Sequence, residues 1–193
     1  LSTALAKGKS AATLVTTPSE KIAAQLKLDA RIGRQAEAID RAGKVLLTTG
    51  GPIPYDALVL ATGAVPIRPP IAGDAAHRAI AINQLEHYGR FRTELRDGAR
   101  VLIMGSGLVG AEFANDLVTT GYKPVVVDML ALPLAQLVPP FVGEKVRDAL
   151  ARAGVEWRLG RKIVAINYKG DAPGYVATLD DGAEIEADLV ISA

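Results

Sequence analysis

The 193-residue sequence has no cysteine. That excludes disulfide frameworks, thiolate zinc sites and dithiol redox motifs, and it fits a cytoplasmic protein. Histidine is scarce as well. His77 and His87 have no second cluster of ligand residues near them, so they read as solvated or packed rings and no metal site is expected. Aromatic residues make up 5% of the chain and are scattered, too few for a base-stacking platform. Lys and Arg total 22 against 21 Asp and Glu, with no long run of one sign, so nucleic acid is not an expected partner. The longest apolar stretch, Val125 to Val138, is interrupted by Asp128, Pro133 and Gln136 and is no membrane span. The opening LSTALAKGKS has no basic flank leading into an apolar core and no initiator Met. It reads as the start of a piece of a longer protein rather than a signal peptide.

What is present suits one large or two small globular domains, with 49% hydrophobic and 22% charged residues. Thr17-Pro18-Ser19-Glu20 predicts a helix start with Thr17 as cap, Pro18 in the first helical position and Glu20 completing a capping box. Ile22, Ala23 and Leu26 then make an apolar stripe reaching about Leu28. Short extended segments are expected around Glu37–Asp40 and Lys44–Thr48, with turns at Arg41–Gly43 and Gly50-Gly51. Ala57-Leu58-Val59-Leu60-Ala61 is a continuous apolar run that predicts a buried strand, ended by Thr62-Gly63. Pro66, Pro69, Pro70 and Gly73 mark a stiff linker, and the domain boundary is placed there, separating residues 1–73 from 74–193.

Beyond the linker, Asn83-Gln84-Leu85-Glu86 predicts a capped helix closed by Gly98. A βαβ unit follows, with strands near Arg100–Met104 and Pro124–Asp128. Pro139-Pro140 starts a helix that ends at Gly154, followed by an extended Val155–Leu159. Ile163–Tyr168 and Tyr175–Leu179 read as antiparallel strands, with a turn at Asp181-Gly182, and Ala187–Ala193 as a last buried strand. The expected class is therefore α/β.

Within the βαβ unit stands Gly105-Ser106-Gly107-Leu108-Val109-Gly110. A lone GxGxxG is weak evidence in a chain with 19 glycines, and glycine-rich strand–helix turns occur in other α/β proteins. Here the context assigns each glycine a task. Gly105 turns the chain out of the strand, Gly107 lets backbone approach a pyrophosphate, and Gly110 lets the helix pack against the sheet. The helix from about Leu108 aims its free N–H groups and positive dipole end at the phosphates. The fingerprint requires an acid some 20 residues on, at the end of the second strand, and Asp128 stands there. Its carboxylate can accept hydrogen bonds from ribose hydroxyls or simply end a strand. With strand, turn, helix and acid in order, a dinucleotide site is the favoured reading. A 2′-phosphate beside Asp128 would be repelled, and Met129, Leu130, Ala131 and Leu132 supply no arginine to receive one, so NADH is expected over NADPH.

Tyr55-Asp56-Ala57-Leu58-Val59-Leu60-Ala61-Thr62-Gly63-Ala64 resembles the "ATG" segment of the pyridine nucleotide–disulfide oxidoreductase superfamily. In that family a first glycine motif binds FAD, the ATG strand follows, and a second glycine motif binds NAD(P)H. The resemblance assigns the Gly105 motif to NAD(H), with Ser106, Leu108, Val109 and Ala193 beside it. It places Glu112 near the nicotinamide ring, and Ala61, Thr62 and Gly63 beside FAD. It implies a Rossmann-like NAD-binding domain of three-layer ββα packing at 74–193 and part of a Rossmann-like FAD domain at 1–73. Asp188–Ala193 resembles the strand that returns to the FAD domain. Glu112-Phe113-Ala114-Asn115-Asp116-Leu117 and Leu1-Ser2-Thr3 look most like the rubredoxin–NAD reductases. Thr3 stands where the peroxidase, oxidase and CoA-disulfide reductase branches carry a redox cysteine. The resemblance therefore implies electron flow from NADH through FAD to rubredoxin or a similar small protein, with no thiol involved. It also implies an internal piece, beginning after one FAD motif and ending before the next. From another class stands a sensor or interaction module that binds NADH without turnover. A flavin-free NAD dehydrogenase ranks last, because no Tyr-x-x-x-Lys or histidine–carboxylate pair is present.

Overall fold

Hydrophobic alternation along Arg100–Met104 decides the architecture, because Val101 and Ile103 face one side of a sheet and Leu102 the other, all three fully buried. The computed structural model describes residues 2–170 and 173–193. In chain order the elements begin with α1 (Ser2–Ala6), α2 (Ser19–Leu26), β1 (Ala36–Asp40), β2 (Val45–Thr48) and β3 (Ile53–Pro54). Then come β4 (Ile80–Ala81), α3 (Leu85–Glu94), β5 (Arg100–Met104), α4 (Leu108–Thr119), β6 (Lys123–Asp128) and α5 (Pro140–Ala153). The chain finishes with β7 (Glu156–Leu159), β8 (Ile163–Tyr168), β9 (Tyr175–Leu179), β10 (Glu184–Ala187) and β11 (Leu189–Ser192).

Two compact units are present, one of residues 2–14 with 66–193 and the other of residues 15–65. In the first, β4-β11-β5-β6-β7 form a five-stranded sheet in which every pairing is parallel. One face carries Val101, Ile103, Val126, Leu189 and Ile191 against Tyr88, Phe91, Phe113 and Leu117 of α3 and α4. Phe91 meets Phe113 edge to face, with centroids 5.8 Å apart. The other face carries Leu102, Val125, Val127 and Val190 against Ile166, Ala177, Leu179 and Ile185 of the antiparallel sheet β10-β9-β8. Antiparallel sheet, parallel sheet and helices thus form three layers, and the α/β class expected from the sequence is the one observed.

Residues 66–73 belong with this unit for a local reason. Ala72 bridges Ala165, donating its N–H to Val164 and accepting from Ile166 N at 2.9 Å, so the proline-rich stretch is pinned at its far end. Ser2, Ala4 and Leu5 of α1 are buried, Ala4 and Leu5 in the same core as α4. The expected last buried strand Ala187–Ala193 is observed as β11, Leu189–Ser192, while Ala187 is the final residue of β10. Asp188 leaves one sheet and enters the other, clipped by its N–H to the Arg100 carbonyl and by its carboxylate to Arg100 N. The start of α4 and the boundaries of β8 and β9 match those expected, and Gly154 ends α5 in the left-handed conformation. Gln84 rather than a box residue caps α3, without a side-chain bond, and the helix ends at Glu94, short of Gly98.

In the second unit β1-β2-β3 form an antiparallel sheet around the Arg41–Lys44 turn, with Gly43 N donating to Asp40 Oδ1 at 2.9 Å. Pro18, not Thr17, occupies the cap position of α2, no side chain caps the helix, and Ile22 and Leu26 are exposed. The Ala57–Ala61 run is not a strand. Val59 is 85% exposed and Leu60 67%. An apolar strand of this kind is stable only between two neighbours with both faces covered, and no described strand pairs with it.

Candidate functional site

The parallel strands deliver their carboxyl ends to one edge, where the strand order reverses between β11 and β5. In open α/β sheets that crevice is where ligands bind. The glycine turn leaves β5 there. Gly105 has φ +102°, and a Cβ on it would stand 2.7 Å from the Ala193 carbonyl oxygen. Its N–H donates to Val127 O at 2.8 Å, joining the turn to β6. Gly110 is buried in the first turn of α4, where a Cβ would meet the Gly105 carbonyl oxygen at 2.1 Å. Gly107 differs from both. It is exposed, its backbone is extended, and a Cβ would meet nothing within 4 Å.

Gly107 is also the cap residue of α4, and no side chain bonds the free N–H groups behind it. No acidic residue lies in the first turn. The opening amides of a helix lack internal partners and carry the positive end of the dipole. Leu108 and Val109 extend this turn into solvent, 58% and 47% exposed. Bare donors, open space at Gly107 and a first helical turn without an acidic side chain are features that suit an anionic group such as a pyrophosphate.

Asp128 ends β6 and is tied into the turn. Its Oδ2 accepts from Ser106 N and from Ser106 Oγ at 2.7 Å, and its Oδ1 accepts from Leu130 N at 2.8 Å. Ser106 is 1% exposed. Its carbonyl accepts from Leu134 N at 2.9 Å, so the loop after β6 clamps the glycine turn from the other side. The carboxylate is half-buried in a fixed position.

A cavity of about 380 Å³ opens at this edge. Gly105, Asp128 and Ala193 line it with Met104 and Met129, under Pro69 and Pro70. Gly107, Leu108 and Val109 are not in its wall. Arg161 and Lys162 are, brought there because Arg161 N donates to Asp128 O at 2.9 Å. Sequence reasoning missed these two cations. They lie 33 and 34 residues after Asp128, and only the β6–β7 pairing, in which Asp128 stands opposite Leu159, discloses them.

Glu112 does not share this cavity. It is exposed on α4 and accepts from Ser2 Oγ of α1 at 3.2 Å. With Ser2, Thr3, Asn115 and Leu150 it lines a second cavity of about 480 Å³ between α1, α4 and α5. Ala61, Thr62 and Gly63 lie in the other compact unit, all exposed and outside any strand. Towards FAD the described residues supply no second glycine turn between a parallel strand and a helix, and they do not by themselves make a flavin phosphate site.

Among the described residues no group of three or more His, Asp or Glu could hold a metal ion, and no helix is long and apolar enough to cross a membrane. The sequence profile of the pyridine nucleotide-disulphide oxidoreductases matches residues 1–193. The chain is 38% identical over its whole length to a rubredoxin-NAD(+) reductase of Alcanivorax borkumensis, covering 50% of that protein. It is 31% identical to a nitric oxide reductase FlRd-NAD(+) reductase of Vibrio vulnificus, again over the whole chain and 50% of the relative. Among solved structures it superposes on putidaredoxin reductase from the covalent complex with putidaredoxin, with a TM-score of 0.88 at 27% identity, covering all of this chain and 47% of that one. The chain thus spans about half the length of the curated relatives it matches. Relatives of this kind use FAD and NAD(H), and the chain belongs to the pyridine nucleotide-disulphide oxidoreductases.

Proposed function

We propose that the chain carries the NADH-binding part of an FAD-dependent reductase that passes electrons to rubredoxin or a similar small redox protein. The observation that carries this reading is the locked carboxylate of Asp128 beside an uncapped helix N-terminus at the mouth of the parallel sheet. Gly105, Ser106, Gly107, Leu108, Val109 and Gly110 form the pyrophosphate cradle. Asp128 holds the adenosine ribose through charge-assisted hydrogen bonds of about 1.5–3 kcal/mol, and Ala193 closes the floor. Glu112 orients the nicotinamide end. NADH, when bound, supplies a hydride, and in the whole protein FAD accepts it. The chain's own contribution is position and electrostatics.

By the resemblance we assign residues 1–73 to the FAD domain, with Ala61, Thr62 and Gly63 beside the flavin, and 74–193 to the NAD domain, although residues 2–14 and 66–73 pack in one compact unit with 74–193. The acceptor is read from the names of the relatives, a rubredoxin-NAD(+) reductase and a reductase joined to putidaredoxin. No cysteine is available to relay electrons within these residues.

Calorimetric titration of the 193-residue chain should show NADH binding tighter than NADPH; the opposite order overturns the assignment. The chain alone should be colourless and should not oxidise NADH when FAD and acceptor are added. A longer protein that adds the half its relatives possess should be yellow and should reduce rubredoxin from NADH. A yellow, active 193-residue chain would refute the placement of the FAD site. A colourless longer protein that still binds NADH would favour the sensor instead.

A further inference from the structure

The cavity beside Asp128 contains more positive charge than an NADH-selective site needs. Arg161 and Lys162 both stand in its wall. A 2′-phosphate on the adenosine ribose would enter this wall, and an arginine there is the group that normally receives it. Arg161 is already engaged. Its Nε forms an ion pair with Asp181 Oδ2 at 2.9 Å. Asp181 is itself fixed, because its Oδ1 accepts from Ala183 N at 3.1 Å in the turn between β9 and β10. That turn is docked onto the loop after β7 by two further bonds. Asp180 N donates to Lys162 O at 2.9 Å, and Lys162 N donates to Asp180 Oδ1 at 3.2 Å.

We propose that Asp181 is a specificity-determining residue of the nucleotide site. Its carboxylate holds and neutralises the Arg161 guanidinium, so that the one arginine in the cavity wall does not serve a 2′-phosphate. The inference rests on the nucleotide reading above and extends it. Asp128 repels the extra phosphate, while Asp181 withholds the guanidinium that would otherwise compensate, leaving Lys162 as the other cation of the wall. Two carboxylates from different sheets then act on one discrimination. Asp181 touches no nucleotide and works through Arg161, so it is a positioning residue. The contact is a single Nε–Oδ2 ion pair, made by a carboxylate whose other oxygen is already fixed by a backbone N–H.

The test uses the 193-residue chain, calorimetry, and NADH and NADPH as probes. Asp181→Asn keeps the acceptor for Ala183 N while removing the charge. It should raise NADPH affinity about fivefold or more and leave NADH within twofold. In the double variant Asp181→Asn/Arg161→Ala that gain should vanish, and NADPH affinity should return to within twofold of the parent's. An unchanged NADPH affinity in Asp181→Asn overturns the inference, as does a gain that survives the loss of Arg161. Arg161→Gln gives an independent answer should Asp181→Asn fail to fold. Because the arginine is withheld in the parent, Arg161→Gln should change the NADH-to-NADPH ratio less than threefold, through the Asp181 carboxylate it leaves unpaired. A selective loss of NADPH binding of tenfold or more would show that Arg161 already serves the phosphate and would overturn the inference. A parent chain that binds neither nucleotide removes the nucleotide reading and the inference with it. A parent that binds NADH with unresponsive variants removes the inference alone.

Discussion

Adding one methyl group at Gly107 and at Gly110 should separate binding from folding within a single turn. At Gly107 the backbone has φ −65° and ψ −170°, which alanine adopts freely, and the new Cβ meets nothing within 4 Å. Alanine is a poorer helix cap than glycine, a loss of up to about 1 kcal/mol. The smaller entropy of the unfolded alanine chain returns about 0.4–1 kcal/mol. Stability should therefore be nearly unchanged. The same methyl projects into the space where the backbone must approach a pyrophosphate, and displacing it from even one charge-assisted hydrogen bond loses about 1.5–3 kcal/mol. NADH binding should weaken by roughly ten- to a hundredfold. At Gly110 the Cβ would lie 2.1 Å from the Gly105 carbonyl oxygen and 2.9 Å from its carbon. Neither is the end of a flexible side chain, so helix and turn must move apart at about 1–3 kcal/mol or more. For a chain of this size that lowers Tm by roughly 2–12 °C. Thermal unfolding followed by circular dichroism, with NADH titration of each variant, reads both quantities. A Gly107→Ala chain that binds NADH normally would refute the cradle, and a Gly110→Ala chain of unchanged Tm would refute the packing argument.

Much of this was legible in sequence because the signals are local. Val101, Leu102 and Ile103 announce a strand buried on both faces, Gly105 the turn behind it, and Pro139-Pro140 and Gly154 the limits of the long helix. Asp128 was found by counting from the glycines, since strand, turn and helix lengths in a βαβ unit are narrowly set. Its anchorage by Ser106 was not legible, because a serine between two glycines carries no mark of what it bonds. Arg161 and Asp181 were hidden for a topological reason. They belong to loops after β7 and β9 and meet only because the antiparallel layer folds over the parallel one. Ala57–Ala61 failed in the opposite direction. Its composition asks for a strand with neighbours on both sides, and composition cannot report whether the neighbours are there.

Asp128→Ala should weaken NADH binding about tenfold or more and narrow the preference over NADPH; Asp128→Asn, which keeps an acceptor for Ser106 N, should do the same with less loss of stability, and unchanged affinity in both would remove Asp128 from the site. Tyr88 offers a test of the core far from the nucleotide. Its ring is fully buried beside Phe91, and its hydroxyl donates to the Lys9 carbonyl at 2.9 Å. Tyr88→Phe should cost about 0.5–1.5 kcal/mol at neutral pH. Burial pushes the phenol above its ordinary value of about 10. The folded chain therefore holds this proton more tightly than the unfolded chain does. The stabilisation that goes with it is complete below about pH 10 and is lost as pH rises from there through the folded value. Denaturant melts between pH 8 and 11 should show the parent losing stability above about pH 10, and Tyr88→Phe losing less over the same interval. Parallel decline in the two proteins would show that other groups govern alkaline unfolding and that this phenol is not held in the core as its hydrogen bond implies.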